Sequence, residues 1–184
     1  PAPGGPADGP LLIFIHGNRY EPADAKSQGL LLARRVAACR PGDAAVRTVI
    51  FSWPSSQEGL LLRDSRAKYE RSMTEGHYFA WLLGQVEPSR PVAIVAYSYG
   101  GLIALEALDN LVRAERSGRS DLQPWIDRPS RLHLVFVASA VRHDALAPCG
   151  EYRNVVPCID RLTLLNNTRD IALRFFECLS LIHI

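Results

Sequence analysis

The chain of 184 residues has no apolar run of the roughly 20 residues needed to cross a bilayer as a helix, although 47% of it is apolar. No membrane span is therefore expected. It also has little net charge, +2 at neutral pH from 21 basic and 19 acidic residues. No cluster of Lys or Arg alternates with aromatics, so the footprint of a nucleic-acid partner is missing. Lysine is nearly absent, at 2 residues against 19 arginines. With abundant alanine, that bias points to GC-rich coding rather than to a binding role.

Four cysteines (Cys39, Cys149, Cys158 and Cys178) lack the short paired spacings with histidine that a zinc site needs. Cys149 and Cys158 flank one short segment, and either a disulfide or two free thiols fits the sequence. No metal and no cofactor is implied, and no repeat or low-complexity tract occurs after the first ten residues. Those residues, PAPGGPADGP at 1–10, are Pro/Gly-rich and are expected to be a flexible linker. No initiating Met is present, so the lack of a visible signal peptide says nothing about compartment. At the other end, LSLIHI at 179–184 departs from the Arg/Ala-rich body and, back-translated, resembles a sequencing-library adapter. It is expected to be a non-native tail. The span between, 11–178, is long enough for one layered domain.

What the chain does have is alternation. Leu11 to Ile15 (LLIFI), Ala45 to Phe51, Pro91 to Tyr97, Leu132 to Ala138 and Leu162 to Leu165 read as strands. Short continuous apolar runs are what strands buried on both faces of a parallel sheet look like. Between and after them, Ala23 to Cys39, Arg63 to Val86, Leu102 to Arg116 and Ile171 to Glu177 have helical spacing. Strands alternating with helices predict an α/β fold with a doubly wound, mainly parallel sheet and right-handed crossovers. Active sites in such sheets gather at the carboxyl ends of strands. His16, Ser98, Ser139 and Asn166 all fall at or just beyond such ends.

Ser98 is the most informative of these. It stands between an apolar β-branched run and a strong helix pattern, in Ala96-Tyr97-Ser98-Tyr99-Gly100. The string differs from G-x-S-x-G only by alanine at its first small position. A serine at such a junction is turned out on a sharp bend with its hydroxyl exposed, which is how a nucleophile elbow is built. The string alone is weak evidence, and the strand-before, helix-after context gives it force. The first strand runs directly into His16-Gly17-Asn18. A strand ending in His-Gly supplies one main-chain N–H of an oxyanion hole, and the residue after the nucleophile supplies the other. Here those donors are Asn18 and Tyr99, with the Asn18 side-chain amide as a further option. His16 and Gly17 are expected to support this loop, His16 as a bracing residue rather than a catalyst.

A triad in the order Ser, Asp/Glu, His needs an acid after a late strand. LTLLNNTRDIALRFF supplies strand, loop and helix, with Asp170 at the end of the loop. Asp170 is equally suited to cap the helix that follows, and the topology tips the reading toward catalysis. The base is the gap. His183 lies in the suspected tail, His143 reads as a loop residue, and His77 and His133 read as surface or packing residues. A histidine beyond the present end is expected to complete the set.

These motifs, IFIHGNR, FSWPS, AYSYGG and NNTRDIALRFF, resemble a family of bacterial α/β-hydrolases of unassigned function, related to lipases and esterases. The resemblance covers nearly the whole chain, and FSWPS is its most distinctive piece. It implies an α/β-hydrolase fold lacking its last strand and helix, with Ser98 as nucleophile, Asp170 as acid and the histidine in a C-terminal segment. The expected function is a serine hydrolase that cleaves carboxylic esters through an acyl-enzyme, with a small ester or acyl substrate and residual activity in this chain. Tyr20, Tyr97, Tyr99 and Trp53 are candidates to rim an apolar pocket or to pack. An acyltransferase or thioesterase on the same site is separable by testing acceptors and thioesters. A non-catalytic interaction domain with a hydrolase fold is separable by serine labelling. Oligomeric state is not readable.

Overall fold

The computed structural model describes residues 9–39, 46–57, 61–118 and 123–166. Asp170, Cys178, His183, the helix expected over 171–177 and the tail at 179–184 lie outside them, as does most of the linker. In chain order the elements are β1 (Leu11–Ile15), α1 (Pro22–Ala38), β2 (Arg47–Phe51), α2 (Leu61–Leu83), β3 (Val92–Tyr97), α3 (Gly100–Arg116), β4 (Leu132–Val137) and β5 (Arg161–Leu165). A short 3-10 helix over Arg153–Cys158, which the sequence reading missed, precedes β5. Among the described residues no helix is long and apolar enough to cross a membrane.

All the strand pairings are parallel, in the order β2-β1-β3-β4-β5. The chain steps from β1 to β2 on one side and then crosses to β3 on the other, so the winding reverses between β1 and β3. Right-handed crossovers then put α1 on one face of the sheet and α2 and α3 on the other. The crevice at such a reversal, beyond the carboxyl ends of the strands, is where ligands bind in open α/β sheets. Here it is the gap between Ile15 and Ala96, which stand in register.

The core follows from this layering. β1 is buried along its whole length. In β3 and β4 buried and half-buried residues alternate, the buried set being Val92, Ile94, Ala96, Leu132, Leu134 and Phe136. α3 is buried almost throughout, from Gly100 to Leu108 and at Leu111 and Val112. Each large apolar side chain fully buried there contributes about 1.5–3 kcal/mol before chain entropy is subtracted. α1 starts where Pro22 occupies the first turn and Asp24 Oδ2 accepts the Glu21 main-chain N–H at 3.1 Å. The buried stripe of α2 is part apolar and part polar. Phe79 and Leu83 are buried, but the stripe continues N-terminally through Gly76 to Ser72, Lys68 and Asp64, while Tyr69 is exposed.

Buried carboxylates on α3 are balanced locally. Asp109 pairs with Arg113 at 2.5 Å. Glu106 accepts hydrogen bonds from the Tyr152 hydroxyl at 3.2 Å and from Asn110 Nδ2 at 3.1 Å. Burial, with Glu106 and Glu151 near it, pushes the Tyr152 phenol up. Cys149 and Cys158 are both free, one exposed and one buried. Burial pushes the Cys158 thiol up to about 12, which leaves it protonated and unreactive.

Candidate active site

Ser98 ends β3 with φ at 51°, a left-handed conformation at a residue that is not glycine. Such a residue costs on the order of 1–3 kcal/mol and persists only where its surroundings over-determine it. They do so here. Its N–H donates to Val137 O at 3.0 Å, and its carbonyl accepts the Gly101 N–H at 3.0 Å and the Ala140 N–H at 3.1 Å. The Ser139 hydroxyl approaches the same carbonyl at 3.5 Å. The bend is thus held from the loop after β4 as well as from α3.

The geometry explains why alanine serves at 96 and glycine is required at 100. Ala96 is a strand residue, buried and in register with Ile15. A Cβ on Gly100 would stand 2.6 Å from Ile15 O and 3.1 Å from His16 O, both main-chain atoms. The start of α3 therefore lies directly against the end of β1. Gly17 closes the arrangement, because a Cβ there would stand 2.8 Å from Ser98 Cβ and 2.8 Å from Tyr97 Cδ1. The loop His16–Asn18 and the bend Ser98–Tyr99 meet in the crevice between β1 and β3.

His16 is anchored at both ring nitrogens. The Trp53 main-chain N–H donates to Nε2 at 3.1 Å, and Nδ1 lies 2.9 Å from Gly17 O, which requires the proton on Nδ1. The ring stacks between Tyr20 and Trp53, with centroids 5.1 Å and 5.8 Å away. The indole Nε1 of Trp53 donates to His16 O at 2.8 Å. Ser55 adds a further clamp, accepting the Tyr20 N–H at 3.2 Å and donating to Tyr20 O at 3.1 Å. FSWPS is therefore the brace of the His-Gly loop, a part the sequence reading left without a physical job.

Burial lowers the His16 pKa below its ordinary 6.5, against a smaller opposing effect of Gly17 O. The unfolded chain takes up that proton near pH 6.5, and the folded chain resists it until lower pH. Acid therefore favours unfolding, and stability is expected to fall as pH drops below 6.5. His133 is shifted in the same direction by burial and Arg161, so the difference between wild type and His16→Gln isolates the His16 share. Thermal melts at about pH 7.5 and about pH 5.5 check it. An equal acid loss in both proteins would contradict this account.

Asn18 is held through its side chain. Nδ2 donates to Asp64 Oδ2 at 3.2 Å, and Oδ1 accepts the Arg19 main-chain N–H at 2.8 Å. Those bonds fix the side-chain amide toward α2 and use one of its two N–H groups, while the main-chain N–H makes no hydrogen bond among the described residues. Tyr99 is the N-cap of α3, and its ring is 4% exposed. Of the four aromatic candidates, Tyr99 and Trp53 are thus packing residues. Tyr20 and Tyr97 do line a cavity of about 290 Å³, with Phe14, Leu31, Leu32, Val95 and Val137 among its walls.

The other expected residues lie elsewhere. Asp170 is outside the described residues. Asn166 follows β5, two strands along from β3. His77 is exposed on α2, its Nδ1 3.0 Å from Met73 O. His133 is near the amino end of β4, its Nε2 2.9 Å from Thr163 Oγ1. His143 is exposed in the loop after β4. Ser139, expected at a strand end, does meet the Ser98 bend, whereas Asp64, Ser55 and Ala140 are residues around the site that sequence reasoning missed. Asp64 alone left a signal, since Asp64, Lys68 and Ser72 continue the apolar stripe of α2 at intervals of four.

A protein-family model described as the alpha/beta hydrolase family matches residues 12–179. No curated protein matches the chain.

Proposed function

The chain belongs to the alpha/beta hydrolase family, which supports a hydrolase-type activity, and from that premise we propose that it is a serine hydrolase cleaving carboxylic esters through an acyl-enzyme. Ser98 Oγ attacks the ester carbonyl while a histidine takes the hydroxyl proton. The carbonyl carbon–oxygen bond to the alcohol then breaks, and the same proton leaves with the alcohol. Water repeats the sequence on the acyl-serine and releases the acid. The main-chain N–H groups of Asn18 and Tyr99 hold the oxyanion, each such donor stabilising the transition state by roughly 3–4 kcal/mol. Asp170 orients the histidine and stabilises its charged form.

The observation that carries this reading is the left-handed backbone of Ser98 at the strand-to-helix bend, with Gly17 packed against it. Backbone strain that the surroundings hold in place clusters at active sites. None of His16, His77, His133 and His143 hydrogen-bonds the Ser98 hydroxyl among the described residues. Turnover by the 184-residue chain is therefore expected to stay near the residual rate left when a triad loses its base.

Free imidazole supplies a mobile base and gives the test. With a fluorophosphonate probe, imidazole is expected to accelerate formation of an adduct on the peptide containing Ser98, and Ser98→Ala is expected to form none. Rapid labelling without imidazole would show that the chain holds its own base, and His143→Ala would then be the next variant. No adduct at Ser98 under either condition would overturn the proposal and favour a binding domain with a hydrolase fold.

A further inference from the structure

Asp64 lies on α2, and its carboxylate reaches the loop after β1. It is fully buried, with 0% of its surface exposed. Oδ2 accepts from Asn18 Nδ2 at 3.2 Å and lies 3.8 Å from Arg19 Nε. One turn along the same helix, the equally buried Lys68 brings Nζ to 3.9 Å from Oδ1. Arg19 itself holds φ at 61°, a second strained residue next to the site. With Asn18 Oδ1 accepting the Arg19 N–H at 2.8 Å, both ends of the Asn18 side chain are engaged in holding the turn. The Asn18 main-chain N–H makes no hydrogen bond among the described residues. It follows Gly17, which lies against Ser98.

We propose that Asp64 is a positioning residue for the oxyanion hole. It grips the Asn18 side chain and draws Arg19 inward, so that the turn presents the Asn18 main-chain N–H beside Ser98. This rests on the serine-hydrolase reading above. The physical reason is preorganisation: a donor helps a developing oxyanion only if it is already fixed when the charge appears. A backbone turn with a strained residue relaxes unless something outside it holds it. A carboxylate suits the task because it bonds Asn18 and balances two cations at once, in a place where an unpaired charge is costly.

A carboxylate that served only to neutralise Lys68 would leave the loop indifferent to the hydrogen bond, and double variants separate the two roles. Asp64→Asn with Lys68→Met removes both charges and keeps an acceptor for Asn18. Asp64→Leu with Lys68→Met removes the charges and the acceptor together. Amide hydrogen exchange of the segment 16–20 is expected to be at least about tenfold faster in the Leu variant than in the Asn variant, with β3 and α3 unchanged. In the imidazole assay the maximal rate of Ser98 labelling is expected to fall at least about tenfold in the Leu variant, with half-saturation unchanged, and to recover in the Asn variant.

Equal loop exchange in the two variants, or parallel loss of rate and saturation in both, overturns the proposal. If the Leu variant does not fold, Asn18→Ala removes the other partner without disturbing the charges on α2. It is expected to loosen the loop and slow labelling in the same way, and unchanged exchange would again overturn the idea. Loss of Ser98-dependent labelling from the wild-type chain is a different result. That outcome sinks the serine-hydrolase reading, and this role with it.

Discussion

Trp53→Ala is expected to destabilise the protein by about 3–5 kcal/mol, the usual cost of truncating a buried tryptophan to alanine. The side chain is 3% exposed and its Nε1 donates to His16 O at 2.8 Å. Removing it takes away a large apolar body and leaves the carbonyl of the His-Gly loop without its donor. Trp53→Phe keeps much of the packing and drops the hydrogen bond, so its cost should be smaller, about 1–3 kcal/mol. Urea unfolding of the three proteins at neutral pH measures both values. A loss below about 1 kcal/mol in the alanine variant would mean that FSWPS does not brace this loop. The loop should also suffer before the whole fold does, because the Trp53 main-chain N–H bonds His16 Nε2 at 3.1 Å. Faster exchange over 16–18 than over β4 in Trp53→Phe is the signature.

Gly100→Ala should damage the site more than any other single methyl. The added carbon would meet Ile15 O at 2.6 Å and His16 O at 3.1 Å. Both are main-chain atoms at the end of a strand whose register with β3 is fixed, so neither can yield cheaply. Overpacking of this kind costs about 1–3 kcal/mol. The catalytic effect should be larger than the stability effect. Relief comes only by moving α3 away from β1, which separates Ser98 from the Asn18 turn, and a shift of about 1 Å in such a site can cost roughly a hundredfold in rate.

Gly101→Ala makes the contrast. There the added carbon meets the Ser139 hydroxyl, a side chain that can be shortened. Ser139→Gly is expected to restore labelling and stability to Gly101→Ala, and no side-chain truncation is expected to restore Gly100→Ala. If Ser139→Gly rescued neither protein or both, this account of the bend would be wrong.

The order of elements was legible in the sequence because each one is a local matter. LLIFI can be buried on both faces of a parallel sheet, and Gly100 to Arg116 carries an apolar face wide enough for a helix pressed between sheet and neighbour. The bend at Ser98 was legible for the same reason, since small residues at 96 and 100 mark a close backbone approach whatever lies across it. The His-Gly loop could be assigned from its place at the end of the first strand. The short helix at Arg153–Cys158 could not, because six residues containing Pro157 show no usable period.

Tertiary structure decided the rest. That β1 lies beside β3 follows from crossovers that reverse direction, and only this adjacency brings Gly17 to Ser98. The work of FSWPS depends on the other neighbour of β1, because Trp53 and Ser55 follow β2 and meet His16 at the adjacent strand end. Asp64 reads in sequence as one acid near the start of a helix, and becomes the grip on Asn18 only because α2 packs that turn inward. The division has one physical cause. Periodicity and steric demand are properties of neighbouring residues, whereas a buried polar group takes whichever partner the packed fold brings within about 3 Å, at whatever distance along the chain.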